Sequence, residues 1–241
     1  MQISDDLMLG PVVSGVSNTT GPSPMELGVG PMGRVYIFDV VPVTLQAAGL
    51  ASSQNPGSGA SFTLTAGTGV TTTVDSSGTT RYVLDTPRCV TVTATGANTA
   101  TYTITGYDQY GQRMTQTIAA PSTSTVATTK AFKSIISVTN ANATAGTNGL
   151  TVGFNDTLGL PYRVLSRDYI TFNYNATVGL LAAVTVADTN TATASTGDVR
   201  GTVTLASAAD GVKRLVATIA MPGIACGPSA TRAGALGVTQ A

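Results

Sequence analysis

The sequence predicts an all-β protein, and three observations carry that prediction. The first is composition. Charged residues make up 10% of the 241-residue chain, against about 25% in ordinary globular proteins. Eleven of the twelve acidic residues are Asp, Glu26 being the exception, and nine of the twelve basic residues are Arg. The good helix formers Glu and Lys are thus nearly absent, while Thr, Val and Gly abound. Thr and Val are stiff at χ1 and fit extended backbone. The second observation is alternation. In CVTVTAT, Cys89 to Thr95, the residues Val90, Val92 and Ala94 fall on one face and Thr91, Thr93 and Thr95 on the other, the period of two that a half-buried strand requires. The third is punctuation: short apolar runs recur about every 8–12 residues between Gly-rich turns. Together these predict a β-sandwich or barrel-like fold with antiparallel meanders and an irregular N-terminal arm.

The elements follow in order. Residues 1–33 are dense in Gly, Pro and Ser, and Pro11, Pro22, Pro24 and Pro31 each remove a backbone donor. They read as an extended arm. Val12, Val13, Val16, Met25 and Leu27 give that arm more apolar content than a solvating tail needs, so they are candidate interaction residues. A main β-domain is expected over 34–165 and a second β-sheet or small subdomain over 166–241, ending in an irregular tail. Within the first, RVYIFDVVPVTLQ (34–46) reads as a strand with Pro42 at an edge or bulge, 47–60 as a loop, and SFTLT (61–65), VTTTV (70–74) and RYVLD (81–85) as strands. Residues 89–119 predict a three-stranded meander whose last turn is GYDQYG. KAFKSIISVTN (130–140) admits a helix reading, but Ile135, Ile136 and Val138 favour a strand; TVGF (151–154) continues the sheet, and NDTLGLPYRV breaks the pattern. Four more runs, 168–175, 179–188, 199–206 and 213–221, read as strands, with Asp210-Gly211 as a hairpin joining the last two.

The residue inventory excludes much chemistry. There is no histidine, so Ser-His-Asp and Cys-His catalysis and the commonest metal sites have no ligand or base. Cys89 and Cys226 show no CxxC spacing, and without an export signal they read as reduced, buried thiols. No phosphate-cradling glycine motif is present. Paired carboxylates are the remaining enzymatic option, and the candidates are Asp75, Asp108, Asp156, Asp188, Asp198 and Asp210. All are placed by the sequence at turns, where Asp is favoured for backbone reasons alone. A net charge of zero argues against nucleic acid as partner, and no run reaches the length of a membrane span. No cofactor or metal is expected. At the expected hairpin tip Tyr107 and Tyr110 are either a recognition patch or covers for neighbouring sheet faces. Arg163, Arg167 and Arg214 read as strand-end charges that matter only where an interface buries them.

Residues 82–163 carry a pattern. YVLDTPRCVTVTATG is followed by YTITGYDQYGQRMTQTI, then KAFKSIISVT, then VGFNDTLGLPYRV. This order of a D-x-P-R strand (Asp85, Pro87, Arg88), a TG-x-D-x-YG hairpin (Gly106, Asp108, Tyr110, Gly111, Met114), a KAF strand (Lys130 to Phe132) and an LGLP loop (Leu158 to Pro161) resembles structural proteins of tailed-bacteriophage virions. STGDVRGTVTLASAADGVKRLVATIAM resembles the C-terminal part of such proteins. The resemblance implies a virion location and a non-enzymatic role, foremost a capsid decoration or cement protein. Its partners would be the major capsid protein and copies of itself, as a homotrimer. A tail or head-fibre component is the alternative; a bacterial surface adhesin and a virion glycan hydrolase stand further off.

Overall fold

The computed structural model of the protein is all-β, with antiparallel sheets curled into a half-barrel; it describes residues 3–5, 34–119, 121–141, 149–178 and 181–221. In chain order the strands begin β1 (Ile3–Asp5), β2 (Arg34–Val40), β3 (Gln46–Gln54), β4 (Val70–Val74) and β5 (Thr80–Ala94). The middle of the chain gives β6 (Tyr102–Tyr107), β7 (Arg113–Ile118), β8 (Thr125–Asn140) and β9 (Leu150–Gly159). A short 3₁₀ turn, Arg167–Tyr169, precedes β10 (Ile170–Tyr174), β11 (Thr177–Val178), β12 (Leu181–Thr185), β13 (Thr202–Leu205) and β14 (Leu215–Met221). The smaller sheet has the order β1-β2-β14-β10-β11. The larger runs β12-β13-β9-β5-β8-β6-β7, with β3 beside β9 and β4 beside β5. Sheet membership therefore crosses the chain: β2 lies with β14, while β12 and β13 extend the sheet of β9.

Two apolar cores result. The alternating positions Val90, Val92, Tyr102, Ile104, Ile135, Val138, Leu150, Val152 and Phe154 place one face of the larger sheet in the first core, which Leu50, Phe62 and Leu64 complete. Phe38, Leu158, Leu160, Phe172, Tyr174, Val203 and Leu215 form the second core, shared by the two sheets. Strand β9 joins them, giving Phe154 to the first and Leu158 to the second.

Strands β5 and β9 each change partner along one edge. On one edge β5 pairs with β4 over Thr80 to Leu84 and with β9 over Arg88 to Ala94. Opposite β5, β9 pairs with β3 over Leu150 to Phe154 and with β13 over Thr157 to Gly159. A change of partner leaves peptide groups without ladder bonds, and buried peptide groups need substitutes. Arg88, wholly buried, supplies them. Its Nε and Nη2 fork onto the Asp85 carboxylate at 2.9 and 2.7 Å. Nη2 also donates to the Val43 carbonyl at 2.6 Å, and Nη1 donates to the Asn155 carbonyl at 3.2 Å and Asp156 Oδ1 at 3.3 Å. All five guanidinium N–H groups are thereby matched. Asp85 Oδ2 accepts from the Val43 amide at 2.9 Å, and Lys133 Nζ donates to the carbonyls of Leu84 (2.7 Å) and Asp85 (3.0 Å). Across the β8 edge the same stretch is a bulge: a step of five residues along β5, from Val83 to Arg88, matches a step of two along β8, from Ser134 to Phe132.

Several expectations are corrected. Residues 47–60 are not all loop, because β3 recruits Gln46–Gln54 despite its Ala, Gly and Ser. Gly153 permits this: a Cβ there would collide with the Gln46 carbonyl. Residues 61–65 make one isolated bridge, Ser61 to Thr139, rather than a strand, although Phe62 and Leu64 are buried. The meander over 89–119 is interrupted, since β8 inserts between β5 and β6; only the β6–β7 hairpin is as expected. NDTLG continues β9 to Gly159 instead of breaking it. Asp210-Gly211 makes a turn, with Gly211 at φ 80°, but carries the chain from one sheet to the other, so β13 and β14 do not pair.

Two predictions follow from this geometry. Arg88→Met strands the carboxylates of Asp85 and Asp156, and urea denaturation is expected to show a loss of about 3–5 kcal/mol. Gly106 faces the Ser134 carbonyl at a register shift between β6 and β8, where a Cβ has no room. Gly106→Ala is expected to lower stability by about 1–3 kcal/mol, read from the same curves.

Candidate interaction site

The β6–β7 hairpin holds strict register from Tyr102 opposite Ile118 to Tyr107 opposite Arg113. Its tip is built by Asp108, whose Oδ1 accepts from the amides of Tyr110 (2.9 Å) and Gln112 (2.8 Å). Gly111 takes the left-handed φ of 77° that the turn needs. The other Asp108 oxygen lies 2.7 Å from Arg200 Nη1, both side chains being 2% exposed. The approach lacks hydrogen-bond alignment, so the contact is ionic. The Arg200 guanidinium also lies 4.8 Å from the centre of the Tyr110 ring, and the Tyr110 hydroxyl donates to the Pro161 carbonyl at 2.7 Å. The tip is thus fixed onto the LGLP loop and the segment before β13. Tyr110 nevertheless keeps 41% of its surface exposed.

The candidate residues divide. Tyr110 and Arg163 come to this one corner: the Val164 amide, next to Arg163, donates to the Arg200 carbonyl at 3.0 Å, and Arg163 Nε is buried without a hydrogen-bond partner. Tyr107 serves the scaffold, with the Arg81 guanidinium 3.8 Å from its ring centre and Arg81 forked onto Asp75 at 3.1 and 2.9 Å. Arg167 is local too, donating to the Ile170 carbonyl at 2.7 Å and lying 5.3 Å from the Phe172 ring centre. Arg214 bonds to Asp39 and ties β14 to β2. Val12, Val13, Val16, Met25 and Leu27 lie outside the described residues, as does Cys226. Cys89 is free and buried, and burial raises its thiol pKa.

A second fixture lies beside the tip. Between Cys89 and Thr91 the β5–β8 register shifts again. Thr128 mends that bulge, accepting from the Val90 amide at 2.9 Å and donating to the Lys130 carbonyl at 2.7 Å. Lys130 is driven inward and its Nζ donates to the carbonyls of Thr115 (3.2 Å) and Thr193 (2.8 Å). Desolvation lowers its pKa, against the pull of Asp198 and Asp188. Asp198 caps the segment, accepting from the amides of Ala131 (3.0 Å), Arg200 (2.8 Å) and Gly201 (3.2 Å). The loop between Asp188 and Asp198 therefore folds over edge strand β7, where the Thr117 amide donates to the Ala194 carbonyl at 2.8 Å. This blunts an open strand edge.

The turn roles expected of the aspartates hold at Asp75, Asp108, Asp188, Asp198 and Asp210, whose carboxylates accept amides two to four residues on. Asp156 differs, lying inside β9 against Arg88. Burial raises its pKa, while hydrogen bonds hold Asp75, Asp188 and Asp210 below the 3.8 of a free carboxyl. Arg88, Arg200 and Lys130 were missed as paired groups. Their partners are remote in sequence, and only an arginine or lysine embedded among apolar strand residues hinted at them. No cluster of His, Cys, Asp and Glu suited to a metal occurs among the described residues, and no helix there is long and apolar enough to cross a membrane.

Exposed apolar side chains gather at two places. Val41, Leu45 and Val212 lie on the β2–β3 connection and the 210–213 turn, which the Gly211 amide joins to the Pro42 carbonyl at 3.1 Å. Leu165 and Val186 flank the bond from the Ala187 amide to the Val164 carbonyl at 2.8 Å. Comparison with family models, curated proteins and solved structures gives no match.

Removing the Lys130 ammonium is expected to loosen the 188–198 loop. In Lys130→Met the Thr117 amide should exchange with deuterium at least about tenfold faster, with β10 and β14 unchanged. Acid should also act through the turns. Carboxyls held below 3.8 contribute fully above the free value and lose that contribution as pH falls through the folded values. Asp156, raised, offsets part of the loss. The urea midpoint is therefore expected to be flat from about pH 7 to 5 and to fall below about pH 4.

Proposed function

We propose that this chain is a structural protein of a tailed-phage virion, a decoration or cement protein that stabilises the head by binding across capsomer junctions. The observation that carries the reading is where the motif residues sit. Asp85 and Arg88 close the β5–β9 joint, Asp108 and Tyr110 lock the hairpin tip, and Leu158, Leu160 and Pro161 supply core and the tip's acceptor. Asp85, Arg88 and Asp108 are each spent on internal bonds, as suits a scaffold that must hold shape under load. The pattern resembling virion proteins is thus a pattern of structural fixtures.

Cementing works by burying surface between neighbours, which adds stabilisation by mass action. The exposed groups Val41, Leu45 and Val212, and Leu165 and Val186, offer apolar area for such contacts. The N-terminal segment adds more. Strand β1 pairs with β2 at an edge of the smaller sheet, Asp5 opposite Val35. The expected arm carries the apolar residues Val12, Val13, Val16, Met25 and Leu27. Its role is to reach the neighbouring subunit of a homotrimer or the major capsid protein.

The test replaces residues 6–33 with a short Gly/Ser linker, leaving β1 in place, and measures binding to expanded phage heads. The full chain is expected to sediment as a trimer and to saturate the heads, and the replacement to lose head binding while keeping its fold. A full chain that stays monomeric and never associates with heads contradicts the reading.

A further inference from the structure

We infer that the corner formed by the β6–β7 tip, the Leu160–Val164 segment and Arg200 binds one small singly charged anion, a halide or a carboxylate. Arg200 carries the inference. It is 2% exposed; its Nη1 meets Asp108, but its Nε and Nη2 have no acceptor in the protein. Gln109 Nε2 and Arg163 Nε are also buried without an acceptor. An N–H stripped of water and left unbonded is costly, and buried donors in native proteins nearly always find a partner. The four donor atoms belong to three residues that the contacts of the tip draw to one corner. Gln109 stands between Asp108 and Tyr110, both in contact with Arg200. Arg163 precedes the residue whose amide bonds to the Arg200 carbonyl, and Pro161 accepts from the Tyr110 hydroxyl.

Charge and donor count both select an anion. Asp108 balances one of Arg163 and Arg200, leaving one positive charge. Asp198, two residues before Arg200, does not cancel it: its oxygens face three amides, and Lys130 is the cation beside it. Among the corner's buried side-chain atoms without a hydrogen bond, four are donors and one, Asp108 Oδ2, is an acceptor. A water there must place two protons of its own; a halide or a carboxylate oxygen only accepts. The half-buried side chains of Gln109 and Arg163 and the partly exposed Tyr110 ring give the ion a way in.

The experiment is thermal unfolding of the full chain in sodium chloride, bromide, acetate and the bulky sulfonate 2-(N-morpholino)ethanesulfonate at equal ionic strength. Binding is expected to raise Tm saturably over the sulfonate, with the rise abolished in the double variant Gln109→Leu/Arg163→Met. A response to the halides identifies a free ion, and bromide in crystals should give one anomalous peak at the corner. A response to acetate alone identifies a carboxylate, as a neighbouring chain's Asp or Glu would supply. Identical Tm values in all four salts, or a rise that persists undiminished in the double variant, overturns the assignment.

Discussion

The structure depends on one buried guanidinium. Strands β5 and β9 are the two central members of the larger sheet, and both change partners where they lie side by side. A sheet cannot exchange β4 for β9 on one edge, and β3 for β13 on the other, without leaving peptide groups unpaired. Arg88 sits at that crossing and bonds to both strands and to the β2–β3 connection. It also marks the boundary between the cores, with Phe154 on one side and Leu158 on the other. The ring of Phe154 lies 5.0 Å from the guanidinium carbon, so the apolar and ionic parts of the joint pack together. Burying this charge is favourable only because every donor is matched; the joint is specific because almost nothing else fits those five partners.

The same device recurs at smaller scale. Thr128 substitutes a hydroxyl for ladder bonds at the second bulge of the β5–β8 pair, and Gln116 presents Oε1 to the Lys130 amide at 2.8 Å. Asp108 and Asp198 do the same for turns and loop ends. Among the described residues five charged side chains, Arg88, Asp108, Lys130, Asp198 and Arg200, are buried, and Arg88, Asp108, Lys130 and Asp198 each bond to two or more backbone groups. Threonine hydroxyls pair across strands as Thr103–Thr117, Thr93–Thr125 and Thr157–Thr204.

Much of the strand content was legible because period-two alternation is local. β4, β6, β7 and β14 follow directly from their β-branched residues, while in β8, which also admits a helix reading, Ile135, Ile136 and Val138 tip the balance to strand. β3 was illegible because Ala, Gly and Ser carry no strand preference; it forms because Gly153 lets the backbones approach. The insertion of β8 between β5 and β6 was illegible for a different reason. Pairing between distant strands is decided by which faces complete a core, and a neighbouring hairpin signal says nothing about that. Asp210-Gly211 illustrates the limit: the turn chemistry is right, and the chain still crosses to the other sheet. At the candidate site the Asp108 turn could be read from YDQYG, but its ion pair with Arg200 could not, since nothing near Arg200 in sequence names Asp108 as its partner.

Whether the two cores behave as one unit is the most direct measure of the joint. Native-state hydrogen exchange across a urea series reads β10 and β14 in the smaller sheet and β6 and β8 in the larger. If Arg88 couples the cores, the slowest amides of both sheets converge on a single opening free energy in the unmodified protein, and they separate once Arg88 is replaced. Amides of β10 and β14 that already open apart from β6 and β8, at a free energy Arg88 does not affect, would contradict the account.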